Sequence, residues 1–265
     1  MNRINQTFNQ LRIEGRAALI PFVVAGDPDL ETTEVLVRKM AEVGADIIEI
    51  GVPFSDPLLD GPIIQAASYR ALKRKVGLKE ILGLVKRWEE IHIPLVIMTY
   101  LNPVFRYGLK TFAADCKESG IDGVIIPDLP PEEAGPWIQE ARRVNLDTIF
   151  LVSPTSTPGR IKKVIQCSRG FIYYISVTGV TGTRNRLPND LEFAVRRIKE
   201  QTKKSVAVGF GISNPEQMSG VSRVADGVII GSAIVKILGE NLDHSDPITP
   251  ITDFVFSLAK TLRSL

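Results

Sequence analysis

The sequence lacks the features that mark most membrane, secreted and nucleic-acid-binding proteins. No stretch holds the roughly eighteen consecutive apolar residues of a membrane span, and residues 1–16 carry no apolar run typical of a secretory signal. The 32 Lys and Arg against 30 Asp and Glu give a formal charge of +2, too small for a basic nucleic-acid surface. We therefore expect a cytoplasmic protein with neither membrane nor nucleic-acid partners, or a plastid stromal one if a transit segment was removed.

Residues suited to metal binding and nucleophilic catalysis are also scarce. The two cysteines, Cys116 and Cys167, lie far apart and outside any CxxC pattern, which predicts free thiols in a reducing compartment. The two histidines, His92 and His244, lie near the end of a predicted helix and in a C-terminal loop. Neither is placed to build a catalytic triad or a metal cluster, and no P-loop or dinucleotide fingerprint occurs.

Short apolar runs recur along the chain and alternate with longer segments of helical periodicity. Eight runs rich in Val and Ile are typical of strands buried on both faces, as in a parallel sheet. These predicted strands are 19–24, 47–50, 95–98, 123–126, 148–152, 171–175, 206–208 and 228–230. The main predicted helices are 32–43, 78–91, 132–144, 159–167, 191–202 and 251–262, with openings at Asp29 and at 130–133.

Eight such βα repeats in 265 residues favour an α/β fold, a closed TIM (β/α)8 barrel that forms one domain over residues 1–265. The rival is a doubly wound open sheet, which usually shows GxGxxG after its first strand. Here that turn reads VAGDP at 24–28. Two long connections, 51–68 and 179–190, follow strands two and six and are expected at the C-terminal face, where barrel active sites are built.

Glycine pairs follow strands seven and eight. Gly209 and Gly211 follow the seventh, and Gly231 with Ser232 follows the eighth and opens a short helical pattern. In barrels these two loops often bind phosphate, because glycine permits close backbone approach and a helix N-terminus attracts anions. Turn chemistry alone would explain either pair, but both together favour a phosphate site. Gly182, after strand six, is placed to close it from the side.

Glu49 interrupts the apolar run of the second strand. Strand alternation places it on one face with Ile47, and places Ile48 and Ile50 on the other. A barrel interior is normally filled by branched apolar side chains, so a carboxylate there is costly and desolvation should raise its pKa. Glu49 is therefore a candidate general acid and base, the alternative being a structural carboxyl that is hydrogen-bonded within the core.

Four other carboxylates and the lysines give weaker indications. Asp27, Asp56, Asp60 and Asp128 precede or follow Pro or Gly in predicted loops, where Asp is common for reasons of turn geometry. The residue pattern therefore leaves their roles open. No lysine lies in or at the end of a predicted strand, which argues against a Schiff-base mechanism.

Several motifs together resemble the tryptophan synthase alpha subunit family. The most specific is the long motif at 48–62, IEIGVPFSDPLLDGP. The others are PFVVAGDP at 21–28, YLNP at 100–103, PDLP at 127–130, GVTG at 179–182 and VGFGI at 208–212. They occur in order over residues 7–262, so the resemblance covers nearly the whole chain.

The resemblance implies a lyase that cleaves indole-3-glycerol phosphate by a retro-aldol reaction to indole and glyceraldehyde 3-phosphate. Glu49 matches the family's general acid and base, Asp60 the carboxylate that holds the indole N–H, and Tyr173 a tyrosine beside the glutamate. The matching substrate-binding residues are Phe22, Met98, Leu129 and Phe210 around indole, Gly182, Gly211, Gly231 and Ser232 around phosphate, and the mobile-loop residue Thr181.

The resemblance also implies a partner but no cofactor. Family members pass indole to a beta subunit that carries pyridoxal phosphate, in an alpha2beta2 complex, while the alpha chain needs no cofactor or metal. The loop after strand two and Asn102–Pro103 would face that partner. The sequence departs from the family at Val24 and Leu59, where Thr and Ala are commoner, and in the basic segment 183–187.

Three alternatives stay open at this point. A different barrel enzyme, such as a sugar-phosphate isomerase, would share the phosphate loops but would have no use for Phe22, Phe210 and the Asp60 loop. A non-catalytic activating subunit would have lost its acid and base, yet Glu49 and Asp60 are both present. A free-standing lyase that releases indole without a beta partner would carry the same catalytic residues.

Overall fold

Eight parallel strands form a closed barrel in chain order, β1 to β8, which confirms the predicted TIM barrel. The computed structural model describes residues 2–88, 90–175, 189–209, 211–212 and 214–264. The strands are β1 Ala18–Val24, β2 Ile48–Gly51, β3 Leu95–Met98, β4 Gly123–Ile125, β5 Asp147–Val152, β6 Phe171–Ile175, β7 Ser205–Gly209 and β8 Gly227–Ile230. All eight predicted strands are present, with bounds that differ by one residue at most.

Helices surround the barrel. In the described ranges they are α1 Arg3–Glu14, α2 Leu30–Glu42, α3 Pro62–Lys73, α4 Leu78–Val85, α5 Leu101–Tyr107, α6 Leu109–Glu118, α7 Gly135–Arg143, α8 Pro158–Cys167, α9 Asn189–Lys199, α10 Pro215–Ser222, α11 Ser232–Glu240 and α12 Thr249–Arg263. Asp29 caps α2 as predicted, because its carboxylate accepts the Thr32 N–H at 2.7 Å. Within these ranges no helix is long and apolar enough to cross a membrane.

Three predictions for helices and connecting segments were wrong, and the helix predicted to reach residue 202 ends at Lys199. The connection after β2 is shorter than predicted, because α3 begins at Pro62, where the fixed φ of proline suits a first helical residue. Residues 130–133 form a turn closed by the Glu133 N–H and the Pro130 carbonyl, so α7 begins only at Gly135. The helix predicted to reach residue 91 ends at Val85, where i→i−3 turns replace the helical bonds.

Alternation along the strands separates two hydrophobic layers. Ile47 points into the barrel interior, while Ile48 and Ile50 pack in the layer between strands and helices. This is the division predicted around Glu49. The interior is closed at its N-terminal end by α1, whose Ile4 and Phe8 belong to the interior cluster. Both cysteines are buried free thiols, as predicted. Because apolar side chains fill the N-terminal part of the interior, a binding site is expected at the C-terminal end of the barrel.

Candidate active site

A cavity of about 190 Å³ opens at the C-terminal ends of the strands. Its lining combines carboxylates, apolar side chains from the barrel mouth and backbone from the loops after β7 and β8. The lining residues are Phe22, Glu49, Leu59, Asp60, Gly61, Ile64, Met98, Ile125, Pro127, Leu151, Tyr173, Ile175, Gly209, Gly211, Ile229, Gly231 and Ser232. An apolar chamber with few polar groups at its edges suits a ligand that is part aromatic and part anionic.

Glu49 lies on β2, in register with Phe22 on β1 and Val96 on β3. Its side chain is 1% exposed, and Oε2 has no hydrogen-bond partner among the described residues. Burial, together with the nearby charge of Asp60, raises the pKa of Glu49 to about 8. A carboxyl group in this position holds a proton at neutral pH and is available to donate it.

Asp60 lies across the cavity, just before α3, and is half-buried. Burial raises its pKa to about 6, while a hydrogen bond from the phenol of Tyr100 acts in the opposite direction. Tyr100 also fixes the loop, because its Oη accepts the Leu59 N–H at 3.3 Å and its ring stacks on Phe54 at 5.0 Å. The two carboxyl groups of the cavity therefore differ in their protonation state near pH 7.

Tyr173 on β6 points into the same chamber. Burial raises its pKa well above the ordinary value, and the charges of Glu49 and Asp60 act in the same direction. The phenol therefore stays neutral at any physiological pH and acts as a hydrogen-bond donor, not as a base. Its position beside both carboxyl groups agrees with the place that the resemblance gave it.

Glycines make room for the two aromatic rings of the site. A Cβ on Gly51 would lie 2.5 Å from Cζ of Phe22, and one on Gly209 would lie 2.7 Å from Oη of Tyr173. A Cβ on Gly231 would meet Cδ1 of Phe22 at 3.2 Å. From the sequence, Gly231 was interpreted as a residue that lets a phosphate approach the backbone at a helix N-terminus. The structure adds that its missing side chain leaves space for Phe22.

The cavity ends at the N-terminus of α11. Gly231 is the N-cap and Ser232 the first helical residue, and no side chain caps this end. The first N–H groups of a helix lack intrahelical acceptors, so they and the helix dipole favour an anion here. Gly211 lines the same corner, and no other described atom lies within 4 Å of the position that its Cβ would take. This corner has the geometry of a phosphate site.

The structure brings together most of the residues predicted for the site. Glu49, Asp60, Tyr173, Phe22, Met98, Gly211, Gly231 and Ser232 all line the one cavity. Leu129 does not line it, because the chain has left the barrel after β4 and its side chain packs in the layer between strands and helices. Thr181, Gly182 and Phe210 lie outside the described residues.

Other cavity residues were not predicted. Ile125, Leu151 and Ile229 point inward from β4, β5 and β8 and form much of the apolar wall. Strict alternation along each predicted strand would have found them. Ile64 enters from the first turns of α3, a helix that was not predicted. Tyr100 does not line the cavity but contacts Asp60, and in the sequence it appeared only as part of the YLNP motif.

The remaining loop carboxylates make contacts of other kinds. Asp128 accepts the Leu101 N–H at 2.9 Å, Asp56 accepts the Ser55 hydroxyl at 2.6 Å, and Asp27 binds the guanidinium of Arg70. None of the three lines the cavity. In the part of the chain that the structure describes, no group of three or more His, Cys, Asp or Glu could hold a metal ion.

Comparison with known proteins agrees with this architecture. The family model described as "Tryptophan synthase alpha chain" matches residues 8–254. The protein of that name from Geobacter sulfurreducens is 48% identical over 263 residues, covering 99% of both chains, and that from Geotalea uraniireducens is 51% identical over 241 residues, covering 91% and 90%. Among solved structures, tryptophan synthase subunit alpha from Legionella pneumophila covers 100% of both chains, with 35% identity and a TM-score of 0.93. A chain of tryptophan synthase from M. tuberculosis covers 99% of both, with 36% identity and a TM-score of 0.90.

Proposed function

The chain belongs to the tryptophan synthase alpha chain family, and we propose that its Glu49 and Asp60 perform the cleavage of indole-3-glycerol phosphate to indole and glyceraldehyde 3-phosphate. The observation that carries this assignment is the pair of carboxyl groups in one cavity with pKa values of about 8 and about 6. Two carboxyl groups whose environments separate their pKa values can divide the roles of acid and charge stabiliser.

The proposed reaction begins with the proton that Glu49 holds at neutral pH. Glu49 donates it to carbon 3 of the indole ring, which places a positive charge on the ring nitrogen. The ionised carboxylate of Asp60 accepts a hydrogen bond from the ring N–H and stabilises that charge. Its larger ionised fraction near pH 7 follows from its lower pKa.

Bond cleavage follows from the second proton transfer. The Glu49 carboxylate removes the proton of the hydroxyl on the adjacent glycerol carbon, the carbon–carbon bond breaks, and its electron pair returns to the ring. The hydroxyl becomes the aldehyde of glyceraldehyde 3-phosphate, and indole leaves as the second product. Glu49 ends protonated, ready for the next cycle. Tyr173 and the apolar wall of Phe22 and Met98 hold the ring between the two carboxyl groups.

The phosphate of the substrate is proposed to bind at the opposite corner, against the backbone of Gly211 and Gly231 and the hydroxyl of Ser232. Thr181, Gly182 and Phe210 remain predicted members of the site. Since the anchored phosphate and the held indole lie at the two ends of the cavity, the scissile bond is fixed between them. This positioning supplies part of the rate enhancement.

A beta subunit is the proposed acceptor of the indole. Around the mouth of the cavity the loop after β2 exposes Leu58 and Leu59, which are 91% and 60% exposed, and Phe105 beside Asn102–Pro103 is 70% exposed. Large apolar side chains exposed at the same end of the barrel are typical of a protein interface. The proposal is therefore an alpha–beta complex that covers this loop, with pyridoxal phosphate carried by the beta subunit.

The direct test is indole release from indole-3-glycerol phosphate by the purified chain, measured with and without a tryptophan synthase beta subunit. We expect slow release by the chain alone and a strong increase with the partner, because partner binding would order the loop that carries Asp60. Fast release that ignores the partner would instead indicate a free-standing lyase. No release by folded protein in either condition would refute the proposed reaction.

Gly211→Asp tests the phosphate corner. We expect KM to rise at least about tenfold with a smaller change in kcat, because two negative charges a few ångströms apart near a protein surface repel by more than about 1 kcal/mol. The position has room for a side chain, so packing should survive. Gly211→Ala is the matched control and should keep its KM. An unchanged KM in the aspartate variant would place the phosphate elsewhere.

A further inference from the structure

An ion pair outside the cavity joins the turn after β1 to α3, and its carboxylate is buried. Arg70 on α3 donates from Nε to Oδ1 of Asp27 at 2.6 Å and from Nη2 to Oδ2 at 2.8 Å. Asp27 is 1% exposed, so the pair is largely shielded from water on the carboxylate side. A bidentate pair of this kind fixes the relative orientation of the segments that it joins.

Asp27 is itself held in place by the turn after β1. The N–H of Gly26 donates to Oγ1 of Thr33 on α2 at 2.9 Å, and the Asp27 N–H donates to the Val24 carbonyl at 3.3 Å. Gly26 has a φ of 84°, and a Cβ there would lie 2.7 Å from Cγ2 of Val76. The carboxylate is therefore presented from a tightly packed turn that is anchored to the barrel.

Arg70 stands where α3 and α11 meet. Its Nη2 lies 3.4 Å from the position that a Cβ would take on Gly239 of α11. The same two helices share a small hydrophobic cluster, in which Ala67 and Ala71 of α3 pack with Val235 of α11 and with Phe22. The guanidinium of Arg70 thus binds the turn after β1 and lies between α3, which begins just after Asp60, and α11, whose N-terminus forms the phosphate corner.

We propose that Asp27 and Arg70 form a positioning pair that sets Asp60 relative to the phosphate corner; this inference rests on the proposed function. Pro62 and Arg70 are about 12 Å apart along the axis of α3. Tilting the helix by about 5° at Arg70 would displace its N-terminus, and with it Asp60 and Ile64, by about 1 Å. Misplacement of a reacting group by that distance can cost about a hundredfold in rate.

The test compares Arg70→Gln, Arg70→Lys and Asp27→Asn with Arg16→Gln in the alpha–beta complex. Arg16 makes a similar bidentate pair with Asp46, at 2.9 and 2.9 Å, at the opposite end of the barrel. We expect kcat to fall at least about tenfold in Arg70→Gln and Asp27→Asn, with the Kd for inorganic phosphate within about twofold of the unmodified protein. Arg70→Lys should have a higher kcat than Arg70→Gln, because lysine keeps the positive charge although it lacks the two-donor geometry of the guanidinium. Arg16→Gln should lose stability without losing kcat.

The variants distinguish a positioning role of the pair from a purely structural one. If Arg70→Gln and Asp27→Asn keep the kcat of Arg16→Gln, the pair has a structural role only and the inference is wrong. If kcat and phosphate affinity fall in parallel with the melting temperature, the inference is also wrong, since loss of folded structure then explains both. Should Arg70→Gln fail to fold, Arg70→Lys and Asp27→Asn give the same comparison. If the unmodified complex does not cleave the substrate, the proposed function itself is wrong. Low activity of these variants alone would not overturn that function.

Discussion

Glu49→Gln should lose at least about a thousandfold in kcat for indole release and yet melt at a higher temperature than the unmodified protein. The activity falls because glutamine can neither donate the proton to the indole ring nor accept the one from the hydroxyl, and a positioned acid and base each contribute substantially to the rate. Phosphate binding at the α11 corner should be unchanged, since Glu49 takes no part in it. Retained turnover would remove Glu49 from the mechanism.

The stability gain follows from the raised pKa of Glu49. In the unfolded chain this carboxyl ionises at its ordinary value of 4.5, whereas in the folded protein it does so only at about 8. Its contribution to stability is therefore fully present below pH 4.5, falls progressively as the pH rises from 4.5, and is completely lost once the pH has passed about 8. At pH 7 the loss is about 3 kcal/mol, and glutamine avoids it.

The measurement is thermal unfolding of both proteins at pH 4, 7 and 9. The difference in unfolding free energy should be near zero at pH 4 and should widen up to about pH 8. The exposed Glu200→Gln is a matched control that removes a carboxyl without touching the cavity. A stability difference that does not change with pH would contradict a buried, protonated Glu49.

Asp60→Asn should lose about a hundredfold to a thousandfold in kcat/KM, because an amide cannot offset the positive charge that develops on the indole ring. In the unmodified protein kcat/KM should fall below about pH 6, as Asp60 is protonated, and above about pH 8, as Glu49 loses its proton. The variant should lack the acid limb. Its alkaline limb should move to lower pH, because the charge of Asp60 is one cause of the raised pKa of Glu49.

Full pH profiles of the chain without its partner test this prediction. The control is Asp56→Asn, which changes an exposed carboxylate in the same loop that contacts the Ser55 hydroxyl. It should keep both limbs. An acid limb that persists in Asp60→Asn would assign that ionisation to another group, and an unmoved alkaline limb would mean that the two carboxyl groups do not interact.

The positions of the strands, and which of their side chains point into the barrel, could be predicted because both depend on the local sequence. Continuous Val and Ile runs mark strands buried on both faces, and a period of two assigns Ile47 and Glu49 to the interior. The chemistry of Glu49 followed from one physical argument, the cost of burying a carboxylate. Asp60 was different, since Asp beside Gly and Pro is common in turns. Its role could be predicted only by resemblance, and the structure adds its place across the cavity from Glu49.

What could not be predicted depends on contacts between distant parts of the chain. Asp27 and Arg70 are 43 residues apart, and neither residue is unusual in its own surroundings. Tyr100 meets Asp60 because β2 and β3 are neighbours, which no local pattern reveals. Leu129 was placed by motif alone, although the chain leaves the barrel after Ile125 and carries that side chain outward.

The pairing of β1 with β8 leaves one edge of the first strand unpaired while most of the chain is being synthesised. Ala18 pairs with Gly227, so the strand that covers this edge of β1 is synthesised about 200 residues after it. At roughly 5–20 residues per second, synthesis of that stretch takes about 10–40 s. During this interval an unpaired, fully apolar strand edge is open to other chains. The circular closure that protects the finished barrel is therefore missing from the nascent chain until β8 has been made.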